Sequence, residues 1–231
     1  MSAATLTFYS TGYSATGSKV TAGGRDGNWS LVSDPAGSVA TPFAPYVTTG
    51  SVLGTFPFAA NDWLKDGSFG SNSEWISPKA LETSSDPSST NVPYVYQQTF
   101  TVTALENPNS VVITGEWSAD NYGYIVVNGT EVTSGEDGII PNAAGEFRSF
   151  TSFILNSSNS DFVAGKNVVQ FDVFNNANGS PDVTGINVDI ESTDVDPAPE
   201  ASTFGIVGLG LAAFGLLRRT ANRRAALCQG K

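Results

Sequence analysis

The sequence predicts a mainly β protein: an antiparallel two-sheet β-sandwich, followed by a linker and one C-terminal apolar helix. Three observations lead there. Apolar and polar residues alternate with period two in segment after segment, as half-buried antiparallel strands require. Turn residues separate those segments at short intervals. No stretch before Thr203 has helical periodicity, whereas the run after it is apolar on all sides.

The elements follow in order. Leu6–Tyr9, Trp29–Val32, Glu74–Ser77, Tyr94–Val102, Val111–Trp117, Tyr122–Asn128, Phe147–Leu155 and Val168–Phe174 read as strands. In NVVQFDVFNN, Val169, Phe171 and Val173 share one face while Val168, Gln170 and Asp172 share the other. In TGINVDIES the split is cleaner, with Ile186, Val188 and Ile190 opposite Asn187, Asp189 and Glu191. Asn128-Gly129, between Ile125-Val126-Val127 and Glu131-Val132, marks a hairpin, because a type I′ turn needs positive φ at both positions. Roughly nine or ten strands separated by turns suit two packed sheets. STDVDPAPEAS, starting at Ser192, is acidic and proline-containing and reads as linker. The expected division is a β-sandwich over 1–194, a linker over 195–203, a membrane-type helix over 204–217 and a basic tail over 218–231.

Composition narrows the chemistry. The chain of 231 residues has formal net charge −11. The first 200 residues carry six Lys and Arg against 22 Asp and Glu, whereas the last 31 carry only Arg218, Arg219, Arg223, Arg224 and Lys231 as charges. So acidic a body repels phosphate backbones, which argues against a nucleic-acid partner. With no histidine in the chain, Ser-His-Asp and Cys-His catalysis and the common zinc sites are excluded. The single cysteine, Cys228, lies beyond the apolar run, so the body has neither a disulfide nor thiol chemistry. Carboxylates are plentiful enough for a glycoside hydrolase, but no motif pairs two of them, and the expected role is non-enzymatic.

The tail is the most specific signal. Phe204–Leu217 is 14 apolar or glycine residues, and the uncharged run starting at Ala201 has 17. At about 1.5 Å per residue the longer run rises roughly 25 Å, a little short of the hydrocarbon core. The basic cluster that follows favours the cytoplasmic side and leaves the body outside. Pro199-Glu200-Ala201-Ser202-Thr203, the Gly-rich apolar helix and then Arg218-Arg219 together resemble a PEP-CTERM sorting signal. Ala201 stands where that pattern has a second proline, and the chain runs unusually far past the arginines. The resemblance implies a Gram-negative bacterium that exports the protein. It implies an exosortase-type membrane enzyme as partner, and a product anchored by the helix or processed to the cell surface or extracellular matrix. Ser2-Ala3-Ala4 are small residues of the kind that flank a signal-peptidase site, which places the start near a mature end.

Within the body, Glu116-Trp117-Ser118-Ala119-Asp120-Asn121-Tyr122 runs into the Asn128-Gly129 hairpin. With GKNVVQFDVFN and TGINVDI further on, this pattern is similar to galactose-binding-like jelly rolls. That resemblance implies a jelly-roll-like sandwich and a carbohydrate-binding alternative, with exopolysaccharide as ligand. Trp75, Trp117, Asp120, Asn121 and Tyr122 are the glycan-binding candidates: rings to stack on sugars, Asp and Asn to bond hydroxyls. The structural alternative makes Trp117 a core residue and Asp120-Asn121 an Asx-type turn. Trp63, Tyr94 and Tyr96 are further aromatic candidates, and Trp29 and Trp75 sit where packing residues also occur. The oxygen-rich stretches Asp26-Gly27-Asn28 and Asn175-Asn176-Ala177-Asn178 raise a structural Ca²⁺, but without a D-x-D-x-D-G loop no cofactor is expected.

Overall fold

The structure, a computed structural model, describes residues 4–37, 40–48, 63–64, 71–80, 86, 91–133, 138–142, 146–176 and 183–198. The sorting-like segment from Pro199, the apolar run Phe204–Leu217 and the arginines after it lie outside the described residues. Among the described residues, eleven strands form two antiparallel sheets. The first contains β3 (Tyr46–Val47), β4 (Ile76–Ser77), β11 (Gly185–Val195), β6 (Val112–Asp120) and β9 (Thr151–Leu155) in that order. Because β6 occupies one edge of β11, β1 (Ala4–Thr5) and β4 follow one another along its other edge. The second contains β2 (Ser30–Ser33), β5 (Tyr94–Val102), β10 (Gly165–Phe174), β7 (Tyr122–Val127) and β8 (Thr130–Glu131). The β-sandwich expectation is met.

Alternation decides which side chains meet between the sheets. On β10, Val169, Phe171 and Val173 are fully buried while Val168, Gln170 and Asp172 are half-buried on the outer face. Phe171 is the hub of the core, with ring centroids 5.1 Å from Trp117, 5.5 Å from Trp29 and 5.9 Å from Phe153. Edge-on aromatic contacts of this kind add about 1 kcal/mol each beyond the area they bury. Gly123 faces inward on β7, where a Cβ would stand 2.1 Å from the Asp172 carbonyl oxygen and 3.1 Å from the Trp117 ring. The β7–β8 turn has φ of 50° at Asn128 and 84° at Gly129, the type I′ geometry expected from the dipeptide.

Four expectations are corrected. Leu6–Tyr9 is not strand. Leu6 and Phe8 are buried, but ladder pairing stops at Thr5, and the Gln98 side chain instead holds the main chain of Tyr9. Thr151, not Phe147, opens β9, and Glu146–Arg148 forms a 3-10 turn. Ser192–Val195 is not linker but the end of β11, paired with β6 and β1, and Val195 is fully buried. Residues 1–197 form one compact unit and 198–231 a second. Finally, the first half of β11, Gly185 to Asp189, is buried on both faces, Asn187 completely. Its outer side is covered by a second apolar cluster of Trp63, Leu64, Trp75 and Val183, joined by Phe147 and Phe150.

Candidate functional site

The residues singled out from sequence divide sharply. Trp117 is fully buried; its indole N–H donates to the Gly138 carbonyl at 3.0 Å. Trp75 is fully buried too, donating to the Leu64 carbonyl at 2.7 Å, its ring centroid 4.1 Å from that of Trp63. Neither ring presents a face on which a sugar can stack. Tyr94 and Tyr96 point into the core as well. Asp120 is buried and accepts the Trp63 indole N–H at 2.7 Å, while its carbonyl accepts the Thr184 hydroxyl. Asn121 accepts the Asn176 N–H through Oδ1 at 2.6 Å. The polar pair therefore forms ties across the fold, tying β6 to the aromatic cluster and β7 to the end of β10, and not a local Asx turn.

Of the oxygen-rich stretches, Asp26-Gly27-Asn28 is likewise engaged, whereas Ala177 and Asn178 of the other lie outside the described residues. The Asp26 carboxylate accepts the Gly12 N–H at 2.7 Å and the Asn28 N–H at 3.0 Å. Its burial raises the pKa, and those main-chain bonds partly offset the rise. Among the described residues no group of three or more carboxylates or thiols converges as a metal site. No described helix is long and apolar enough to cross a membrane.

Of the predicted group Asn121 and Tyr122 are half-exposed, and the fold builds a candidate site around Tyr122. On β7, Gly123, Ile125 and Val127 point inward, so Tyr122, Tyr124 and Val126 lie on the outer face of the second sheet. The β7–β10 register sets Phe174 opposite Tyr122, Asp172 opposite Tyr124 and Gln170 opposite Val126. The Tyr122 and Phe174 rings stack at 5.2 Å with 12° between planes, and Tyr124 lies 5.8 Å from Phe174. The three rings form one half-exposed strip. Gln170 continues it toward β5 by donating to Gln97 at 3.3 Å. Both described 3-10 turns pack against the first sheet, and no described strand or helix packs over this outer face.

Carboxylates border the strip. Glu131 of β8 is exposed beside Val126, one strand beyond Tyr124, and Asp172 flanks Tyr124 on the other side. One Asp172 oxygen, Oδ1, is buried and has no hydrogen-bond partner. Burial, and secondarily the Glu131 charge, push the Asp172 pKa up to about 6. Burial followed by the charges of Asp172 and Glu131 raises the Tyr124 phenol as well. Sequence reasoning missed Tyr124, Phe174 and Asp172. Two aromatics alternating with core residues in YGYIV were a usable signal, but their partners come from a strand some fifty residues later.

A second concave region lies around Tyr9. Gln98 accepts its N–H at 2.7 Å and donates to its carbonyl at 3.0 Å, fixing the backbone. Hollows of about 290 Å³ and 390 Å³ open on either side, the first bordered by Tyr13 and Asn72, the second by Asn28 and Thr101. No family model matches the chain, and neither a curated protein nor a solved structure matches it.

Proposed function

We propose that this chain is an exported, non-enzymatic surface or matrix protein whose β-sandwich binds glycan through the outer face of its five-stranded sheet. The observation that carries the binding reading is the half-exposed strip of Tyr122, Phe174 and Tyr124, edged by Gln170, Gln97 and Asp172. Rings contribute apolar contact to the C–H faces of pyranoses, and amides and carboxylates bond hydroxyls that those rings cannot satisfy. The rigid sheet holds both kinds of group at fixed spacing, which limits the entropy lost on binding. Export and sorting rest on the PEP-CTERM-like order of Pro199-Glu200-Ala201-Ser202, apolar run and Arg218-Arg219, with an exosortase-type enzyme as the processing partner.

Affinity electrophoresis of the full chain through gels holding a panel of polysaccharides tests the binding reading. Retardation by at least one glycan is expected, weakened several-fold in Phe174→Ala and Tyr124→Ala, since an exposed aromatic contact contributes about 1 kcal/mol. No reducing sugar should be released. Unretarded migration across the panel by correctly folded protein would remove the reading. Fusing residues 195–231 to an exported reporter tests sorting, with processing as the expected result and unchanged secretion as the result that overturns it.

A further inference from the structure

The strip contains more than neutral sugar contacts require. Asp172 is opposite Tyr124 on the sheet, and its Oδ1 is out of contact with water and without a donor. Glu131 stands one strand beyond Tyr124, so the phenol ring lies on the strand between two carboxylates. The two ion pairs among the described residues, Lys19–Glu74 and Lys79–Asp86, involve neither carboxylate. Lys166, a cation on the same face of β10, is six residues from Asp172, about 20 Å along a strand.

A neutral sugar would leave two like charges uncompensated on either side of Tyr124, beside aromatic rings. An ammonium group does more. It neutralises the carboxylates that flank Tyr124 and lies against ring faces whose quadrupole attracts cations. Uronic or sulfated glycans meet the opposite situation, being repelled locally and by a body that carries 22 acidic residues.

The geometry points to a glycan bearing free ammonium groups, a de-N-acetylated amino-sugar polymer, as the ligand of this face, with Asp172 and Glu131 as its charge partners. The inference rests on the glycan reading above and adds the class of sugar. The rings take the pyranose faces, and each engaged ammonium lies between Asp172 and Glu131 beside Tyr124.

Calorimetric titration of the full chain with glucosamine oligomers, N-acetylglucosamine oligomers and β-linked glucose oligomers of equal length tests it. Glucosamine oligomers should bind at least about tenfold more tightly than the other two, equivalent to about 1.4 kcal/mol. Asp172→Asn and Glu131→Gln should each erase most of that preference. Equal affinity for all three sugars, unchanged in Asp172→Asn, would overturn the amino-sugar assignment while the glycan reading stands. Oligolysine competing as well as glucosamine oligomers would overturn it in favour of a basic peptide. No binding to any of the three sugars, nor to the wider panel, would remove both readings together.

Discussion

Replacing Asp172 by Asn should stabilise the protein while weakening its proposed function. The carboxyl, at 3.8 when unperturbed, is raised to about 6 in the fold, mainly by burial and then by Glu131. An acid whose pKa is raised on folding binds more protons folded than unfolded, so stability falls as pH climbs from 3.8 to about 6. Above that window the full penalty applies, and below it the penalty vanishes. Two pKa units at about 1.36 kcal/mol each give an upper bound of about 3 kcal/mol. Asp172 is only half-buried, so solvent screening reduces this to roughly 1 kcal/mol. Asn keeps the shape and never ionises. At about pH 8 the variant should gain roughly 1 kcal/mol, or about 2–4 °C in melting temperature for a unit of this size.

The gain should shrink steadily between about pH 6 and pH 4, where wild type recovers its proton. The Glu131 carboxylate of β8 is the charged neighbour, and Glu131→Gln should lower the Asp172 pKa and so narrow the same difference. Thermal unfolding followed by circular dichroism at several pH values, with buffers of matched ionic strength, reads all of this directly. A variant no more stable than wild type at about pH 8, or one whose gain is constant across the range, would refute the electrostatic argument. Stabilisation at the expense of amino-sugar affinity would mark Asp172 as retained for binding and not for folding.

Trp117→Ala should cost about 3–5 kcal/mol in denaturant unfolding, because it empties a fully buried site against Phe171. A loss under 1 kcal/mol or so would contradict the core assignment. Truncation after Pro197 should leave a monomer that melts cooperatively with β-type circular dichroism, whereas truncation after Ser192 should lose at least about 2 kcal/mol, since it removes the fully buried Val195 and the partners of β1. Equal melting of the two truncations would sink that boundary. Gly129→Ala should cost about 1 kcal/mol through its φ of 84° alone, with open space around the new methyl; an unchanged midpoint would mean that the turn relaxes.

Much of the fold was legible because strand patterning is local. Tyr94–Val102 is strand over the residues that its pattern marks, and the Asn128-Gly129 turn has the required dihedrals. Elsewhere the pattern predicts burial more reliably than pairing. Leu6 and Phe8 are both inside, yet the segment is not strand, because β5 is held there by a glutamine side chain and not by a backbone ladder. Alternation also separates two faces without saying what covers each. Asn187 and Asp189 look solvent-facing in sequence, but both are buried: Trp63 packs over that side of β11 at Gly185, and the Asp189 carboxylate accepts from the Ser10 hydroxyl and the Asn72 N–H.

By itself the sequence determined the sandwich class, the acidic body, the exclusion of histidine-dependent chemistry and the sorting-like order of the tail. These depend on composition and on neighbours within a few residues. Only the tertiary structure decided that Trp75 and Trp117 are core, that the strand continues to Val195, and that Tyr122 belongs to a half-exposed aromatic strip. Inward and outward are properties of a whole sheet, and one residue of register exchanges them. The β7–β10 ladder joins Tyr122 and Tyr124 to Phe174 and Asp172 across about fifty residues, and the adjoining hairpin adds Glu131. The charge state of Asp172 follows from that three-strand neighbourhood, which no window along the chain contains.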